Sequence, residues 1–238
     1  MRWLWRFAPA KARAGSTPPH ASIGGMKIAS LIRAPLPVSL LASGCFIVAA
    51  LAFGAALEGY SQQLYPLSAL GAVGMPRAVW ANVLVFVVPG LLGTCVAAMF
   101  YLRLPATAGS VARIGAWMLL FSSVAFASQG LFQLDYDDLE ATTGRLHVLS
   151  WALWWLTTAS GGLLLASGLR GCHGWRGAAA IALAVAILVP FLAMAAPAAW
   201  GTEILRRVAF VLWFGWWVFA AVAISRNAAS TQGSSRPG

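Results

Sequence analysis

Six long apolar runs constrain this chain more than any other feature of its sequence. They cover residues 38–57, 79–101, 113–133, 146–167, 178–197 and 204–224. Each run is close to the about 20 residues that a helix needs to cross the hydrocarbon core of a bilayer. Runs such as 83–93 and 209–224 lack the alternation of a membrane β-barrel strand. The sequence therefore predicts an all-α, polytopic membrane protein, a bundle of six transmembrane helices.

The composition excludes several other classes of protein. Apolar residues make up 60% of the 238-residue chain and charged residues only 9%. In a typical soluble domain about 45–50% of the residues are apolar and about 25% are charged. A soluble enzyme, a disordered chain and a disulfide-rich secreted domain are therefore excluded. The three cysteines form no CxxC pair, so we interpret them as small packing residues, and the sequence predicts no cofactor.

The charges are divided unequally between the two ends of the predicted bundle. One end would hold the N-terminal arm, the second and fourth loops and the C-terminal tail, with twelve Lys or Arg and no Asp or Glu. The other end would hold four Arg and all six Asp and Glu. Because Lys and Arg are enriched in cytoplasmic loops, we expect both termini in the cytoplasm and the chain in the inner membrane. The net charge of +10 therefore does not indicate nucleic-acid binding.

The chain divides into three regions. Residues 1–37 are predicted to be a basic cytoplasmic arm, largely disordered and attracted to anionic lipid. Residues 38–225 are the six-helix membrane domain, and residues 226–238 are a polar tail that we also predict to be disordered. Translation from Met26 instead of Met1 remains an alternative, because MKIASLIR is a typical membrane-protein opening.

The middle of every predicted helix lacks ionisable residues. Proton pumps and most ion-coupled transporters place such groups at that depth, so their absence disfavours these classes. Pro89 and Pro190 are expected to kink the second and fifth helices. Small residues at four-residue spacing predict close helix packing; they are Ala50 and Gly54, and Ala178, Ala182 and Ala186.

Two tryptophan stripes run along the fourth and sixth helices. They are Trp151, Trp154 and Trp155, and Trp213, Trp216 and Trp217. Tryptophan is usually enriched at membrane interfaces, but several of these lie deep in the apolar runs. They are either bulky core residues of the bundle or the wall of a pocket for a lipid tail.

Polar residues at the less basic end form the best candidate site. The candidate binding residues are Glu58, Ser68, Asn82, Gln129, Asp135, His147, Trp151 and Trp155. The short third loop makes a helical hairpin, so Asp135 and His147 should lie within reach of each other. They could form an acid/base pair or, with Glu58, a weak zinc or manganese site. Alternatively, these carboxylates are solvated helix ends. Glu203, Arg206 and Arg207 open the sixth helix nearby.

Residues 65–92 contain the pattern Ser68, Ala69, Leu70, Gly71, Asn82 and Gly90, and residues 130–155 contain Gly130, Phe132, Asp135 and His147. In these residues the two segments resemble a bacterial membrane family catalogued as domain of unknown function 998. Leu134 and Tyr136 depart from the Pro or Cys that the family often has there. The resemblance implies a six-helix fold over about residues 38–225 and a shared role for Asp135 and His147, but no known activity.

Three function classes remain open at this stage. The first, which we favour, is binding of a lipid or other amphiphile in a pocket at the outer face, because it uses both the tryptophans and the polar rim. The second is a membrane-embedded hydrolase or transferase that uses Asp135 and His147. The third is a non-catalytic accessory subunit. The expected partners are membrane lipids, with a homo-oligomer or a partner membrane subunit also possible.

Overall fold

The computed structural model describes residues 34–138, 140–195 and 201–233, and no strand occurs among them. Six helices are long and apolar enough to cross a membrane, which confirms the predicted all-α architecture. They are α1 (Pro35–Ala56), α2 (Ala78–Arg103), α3 (Gly109–Gln129), α4 (Thr142–Leu169), α5 (Arg176–Pro190) and α6 (Thr202–Gly233).

The ends of three helices differ from the sequence boundaries. Helix α1 begins at Pro35, within the predicted arm, because proline suits the first turn of a helix. Helix α4 begins at Thr142, so His147 lies in its second turn and not at its head. Helix α6 continues to Gly233, past residue 225, because no proline interrupts it. The remaining parts of the predicted arm and tail, 1–33 and 234–238, lie outside the described residues.

The helices pack in chain order around a ring that α6 closes. Each of α1 to α5 packs against the next helix in the chain, and α6 also contacts α1 and α2. Aromatic rings fill the centre: Phe126 of α3 stacks on Trp213 of α6 with centroids 5.0 Å apart. Phe46 of α1 meets Phe214 of α6 at 4.8 Å. Helix α6 is therefore the hub of the core.

Four of the six tryptophans in the two stripes belong to this core. The indoles at 154, 213, 216 and 217 are at most 1% exposed. Trp213 Nε1 donates a hydrogen bond to Ser122 Oγ at 3.1 Å, and the Ser122 and Thr158 hydroxyls are 2.7 Å apart. Of the two interpretations of the stripes, the structure supports core packing for these four residues. Trp151 and Trp155 are only partly buried.

Close backbone contacts fix α4 between its neighbours. A Cβ added to Gly115 of α3 would lie 2.5 Å from the Leu165 nitrogen and 2.7 Å from the Gly161 oxygen of α4. On the opposite side of α4, Gly162 faces Ala182 and Ala186 of α5 in the same manner. The predicted alanine stripe on α5 thus serves helix packing.

The small residues of α1 have a different partner. The Gln62 side chain lies against Gly54, and its amide nitrogen donates to the Ala50 oxygen at 3.1 Å. Our expectation of a helix–helix contact there was wrong, because the loop after α1 folds back onto this face.

The two prolines occur beside widened turns. Residues Val83–Val87 form a π-helical turn immediately before the segment that contains Pro89, and Phe191–Ala195 form another immediately after Pro190. Proline lacks an N–H and its ring conflicts with the carbonyl of the preceding turn, which accounts for the widened turn before Pro89. Phe86, in the first π turn, is thereby directed into the bundle and is buried.

Gly115→Ala should destabilise the bundle by about 1–3 kcal/mol, because the added methyl group meets backbone atoms that cannot move aside. Thermal unfolding of the detergent-solubilised protein measures the effect. Gly215→Ala on α6 is the control, since nothing lies within 4 Å of a Cβ there. Equal stability of both variants would contradict the assigned α3–α4 contact.

Candidate functional site

One end of the bundle carries both signs of charge, and we call it the mixed-charge end. It comprises the loops 57–77 and 130–141 and the first turns of α4 and α6. The first loop is held in place by Asn82, whose Nδ2 donates to the Gly71 oxygen at 2.8 Å. Val73 N donates to the Leu134 oxygen at 2.9 Å, which joins the two loops. These hydrogen bonds connect the first loop to α2 and to the second loop.

A cavity of about 340 Å³ lies at this end. Its polar lining comes from two loops and three helices: Ser68, Gln129, Tyr136, His147, Glu203, Arg206 and Arg207. Its apolar lining consists of Pro66, Leu67, Phe86, Leu134, Val148, Trp151 and Phe210. An apolar pocket with a few convergent polar groups is the usual form of a small-ligand site.

His147 joins α4 to the end of α3. Its Nδ1 lies 3.0 Å from the Gln129 oxygen and 2.9 Å from the Phe132 oxygen, so it carries the proton and donates to both. The last carbonyls of a helix lack partners within the helix, and this imidazole supplies one. The ring is only 7% exposed. Its position is therefore fixed by the α3–α4 hairpin, and the residue lines the cavity.

Gln129 is the last residue of α3 and lies in the wall of the cavity. Its side chain is only 2% exposed, and its Nε2 has no hydrogen-bond partner. A buried amide without a partner costs about 1–3 kcal/mol. Nothing else among the described residues accepts a hydrogen bond from this donor.

Glu203 and Arg206 form an ion pair one turn apart on α6. Arg206 Nη1 donates to Glu203 Oε1 at 2.5 Å, while the guanidinium carbon lies 5.6 Å from the centre of the Trp151 ring. The ring face attracts the cation and orients it. Arg206 Nε is buried and has no partner.

Arg207 donates most of its hydrogen bonds to the first loop. It donates to Tyr60 Oη at 2.6 Å, to Gln62 Oε1 at 2.8 Å and to the Tyr65 oxygen at 2.8 Å. It also donates to the Glu203 main-chain oxygen at 2.9 Å. Burial raises the pKa of Tyr60, and Arg207 partly opposes that rise. Arg207 therefore anchors the loop to α6.

Ser68 and Tyr136 bring the two loops together at the rim of the cavity. Burial raises the pKa of Tyr136, an effect that a hydrogen bond from Ser68 partly offsets. Both residues line the cavity. The phenol is therefore neutral near pH 7, and the pair offers hydroxyl groups and no charge.

The structure brings only part of the predicted binding set together. Ser68, Gln129, His147 and Trp151 line the cavity. The other four, Glu58, Asn82, Asp135 and Trp155, do not line it. Glu58 is exposed at the end of α1, and the Asn82 amide holds Gly71. Trp155 lies one turn beyond Trp151, with ring centres 6.4 Å apart.

Asp135 and His147 do not form the predicted pair. Asp135 Oδ1 accepts a hydrogen bond from its own loop, from Asp137 N at 3.0 Å, while His147 Nδ1 is occupied by main-chain oxygens. The short loop of the α3–α4 hairpin predicted that the two residues lie at similar depth, but it does not determine where their side chains point. Among the described residues no group of three His, Cys, Asp or Glu could hold a metal. The weak metal set of Glu58, Asp135 and His147 is thus not assembled.

The sequence analysis left several lining residues out of the binding set. Glu203, Arg206 and Arg207 were noted only as the start of the sixth helix, and Tyr136 was treated as a departure from a family pattern. One feature of the sequence could have identified them: three charged residues lie within about one turn of an otherwise apolar helix. Charged side chains in such a position are energetically unfavourable unless they pair with each other or bind a ligand.

No protein-family model, curated protein or solved structure matches the chain. The resemblance to domain of unknown function 998 therefore stays a prediction. Several residues that carry it are packing positions in this structure. A Cβ on Gly90 would lie 2.6 Å from the Ala127 nitrogen, and one on Gly130 would lie 2.6 Å from the Asn82 oxygen.

His147→Ala should lower the free energy of unfolding by about 1–3 kcal/mol, because it leaves two main-chain oxygens without their donor. His147→Asn should recover much of this loss, since its amide nitrogen can replace Nδ1. Thermal unfolding in detergent compares the two. Equal loss in both variants would show that the hydrogen bond is not what His147 contributes.

Proposed function

We propose that this protein binds a lipid or other amphiphile, with the polar headgroup in the cavity at the mixed-charge end. The observation that carries the proposal is the combination of an ordered cavity with a buried polar donor, Gln129 Nε2, that the fold does not use. Buried polar groups in proteins are nearly always hydrogen-bonded. A bound polar group would supply the missing acceptor.

The size and walls of the cavity support an amphiphile. A volume of about 340 Å³ is at the lower end of the about 300–1,000 Å³ typical of ligand pockets, so it suits a headgroup better than a whole lipid. Val148 lines the cavity and is nevertheless 57% exposed on the flank of α4. An apolar chain could follow this flank while the headgroup stays inside.

The two other function classes have less support. A hydrolase or transferase based on Asp135 and His147 needs both side chains at one place, and Asp135 is not in the cavity lining. An accessory subunit would not require an unpartnered amide in a cavity. Binding is therefore the function that uses the observed features most completely.

We further propose that both termini lie in the cytoplasm of an inner membrane, so that the cavity opens to the outer, periplasmic face. The described basic residues of the opposite end support this orientation: Arg103, Arg113, Arg170, Arg176 and Arg226 all lie at or near the helix ends there. Positive residues are retained on the cytoplasmic side.

Val148→Trp should reduce the amount of amphiphile that copurifies with the protein, because the larger side chain occupies part of the cavity. Native mass spectrometry of the gently solubilised full chain measures the retained ligand. Leu149→Trp is the matched control, since Leu149 is its exposed neighbour and does not line the cavity. Retention of the same ligand by both variants would refute binding at this cavity.

Single cysteines can test the orientation. In a chain whose Cys45, Cys95 and Cys172 have been replaced, Glu140→Cys should react with an impermeant maleimide in intact cells. Arg170→Cys should react only after the membrane is permeabilised, because it lies at the basic end. Both positions are exposed, so the reverse pattern would mean the opposite orientation.

A further inference from the structure

We infer that the headgroup bound in this cavity is anionic, a phosphate or a carboxylate, and that Arg206 and Gln129 bind its oxygens. The inference rests on the proposed function of the cavity as an amphiphile site. It adds the chemical class of the ligand and the residues that recognise it.

The first argument is the charge balance of the cavity. Its charged lining residues are Glu203, Arg206 and Arg207, so one carboxylate faces two guanidinium groups. Glu203 pairs with Arg206 at 2.5 Å and lies 3.9 Å from Arg207 Nη1. The side chains of Glu203 and Arg207 are only 14% and 16% exposed. A partly desolvated surplus of positive charge is unfavourable, and an anion would neutralise it.

The second argument is the distribution of hydrogen-bond donors. Arg207 directs its donors at the first loop and at the Glu203 main chain. Arg206 keeps a buried Nε without an acceptor, and Gln129 keeps a buried Nε2 without one. The two residues come from α3 and α6, and both line the cavity. Oxygens of a phosphate or carboxylate are the acceptors that guanidinium groups bind most strongly.

The third argument excludes a cationic headgroup. A cation would require a carboxylate oxygen, but Glu203 Oε1 is already paired with Arg206 and Oε2 faces Arg207. Of the aromatic rings that line the cavity, that of Trp151 already faces the Arg206 guanidinium. The cavity therefore has no unpaired negative charge to offer.

The test compares two lipids that differ only in the phosphate: lysophosphatidic acid and the monoacylglycerol with the same acyl chain. Each is titrated into the purified full chain in detergent, and binding is followed by native mass spectrometry. Inorganic phosphate is the third probe. We expect lysophosphatidic acid to bind at least about tenfold more tightly than monoacylglycerol, because charge-assisted hydrogen bonds are strong.

Arg206→Gln should abolish this preference, because it removes the guanidinium that binds the phosphate. Arg145→Gln is the matched control: it removes one arginine from the same end, where Arg145 pairs with Glu140 in an exposed position outside the cavity. We expect it to retain the preference. Gln129→Leu, which removes the second donor at similar volume, tests the inference if Arg206→Gln does not fold; it should also weaken lysophosphatidic acid binding.

The possible outcomes separate the two proposals. Equal binding of both lipids, with no effect of Arg206→Gln, would overturn the anionic headgroup and leave the amphiphile site standing. Binding of inorganic phosphate but of neither lipid would support the anionic site and overturn the amphiphile. Binding of none of the three probes would overturn both.

Discussion

The backbone contact between α3 and α4 is the interaction on which the mixed-charge end depends. Between helices in a membrane, lipid tails are as apolar as leucine, so association relies on close packing and hydrogen bonds. Gly115 and Gly161 allow that approach, and the Ser122 and Thr158 hydroxyls bond across it at 2.7 Å. The resulting register lets His147 reach the carbonyls at the end of α3. The wall of the cavity is a consequence of this packing.

The sequence predicted the six helices and the alanine contact of α5 because both depend on residues within one element, the first on the length of its apolar run and the second on four-residue spacing. It predicted the cavity lining only in part, because hairpin spacing sets the depth of a side chain but not its direction. Asp135 turns into its own loop to accept from Asp137 N, a local bond that competes with any distant partner. Asn82 looked like a rim residue, yet its amide holds Gly71. The hydrogen-bond partner of such a side chain depends on which loop folds back against it, and the spacing of residues in the sequence does not determine this.

Two adjacent arginines show why spacing alone could not assign the site. Successive residues on a helix point about 100° apart, so Arg206 and Arg207 meet different surroundings. Arg207 bonds to Tyr60, Gln62 and the Tyr65 oxygen of the first loop. Arg206 faces Trp151 of α4 and, within the described part of the chain, forms its ion pair with Glu203. The fold therefore uses the donors of Arg207, whereas Arg206 Nε has no acceptor among the described residues.

An unpartnered buried donor is not by itself evidence for a ligand. The indole nitrogens of Trp154, Trp155, Trp216 and Trp217 also lack partners, and none of these residues lines the cavity. A neutral indole N–H in the core costs far less than an uncompensated charge. At the mixed-charge end, by contrast, an unused amide, an unused guanidinium nitrogen and a surplus positive charge meet in one cavity. An anionic headgroup would explain why all three features occur together, which no single unpartnered atom would require.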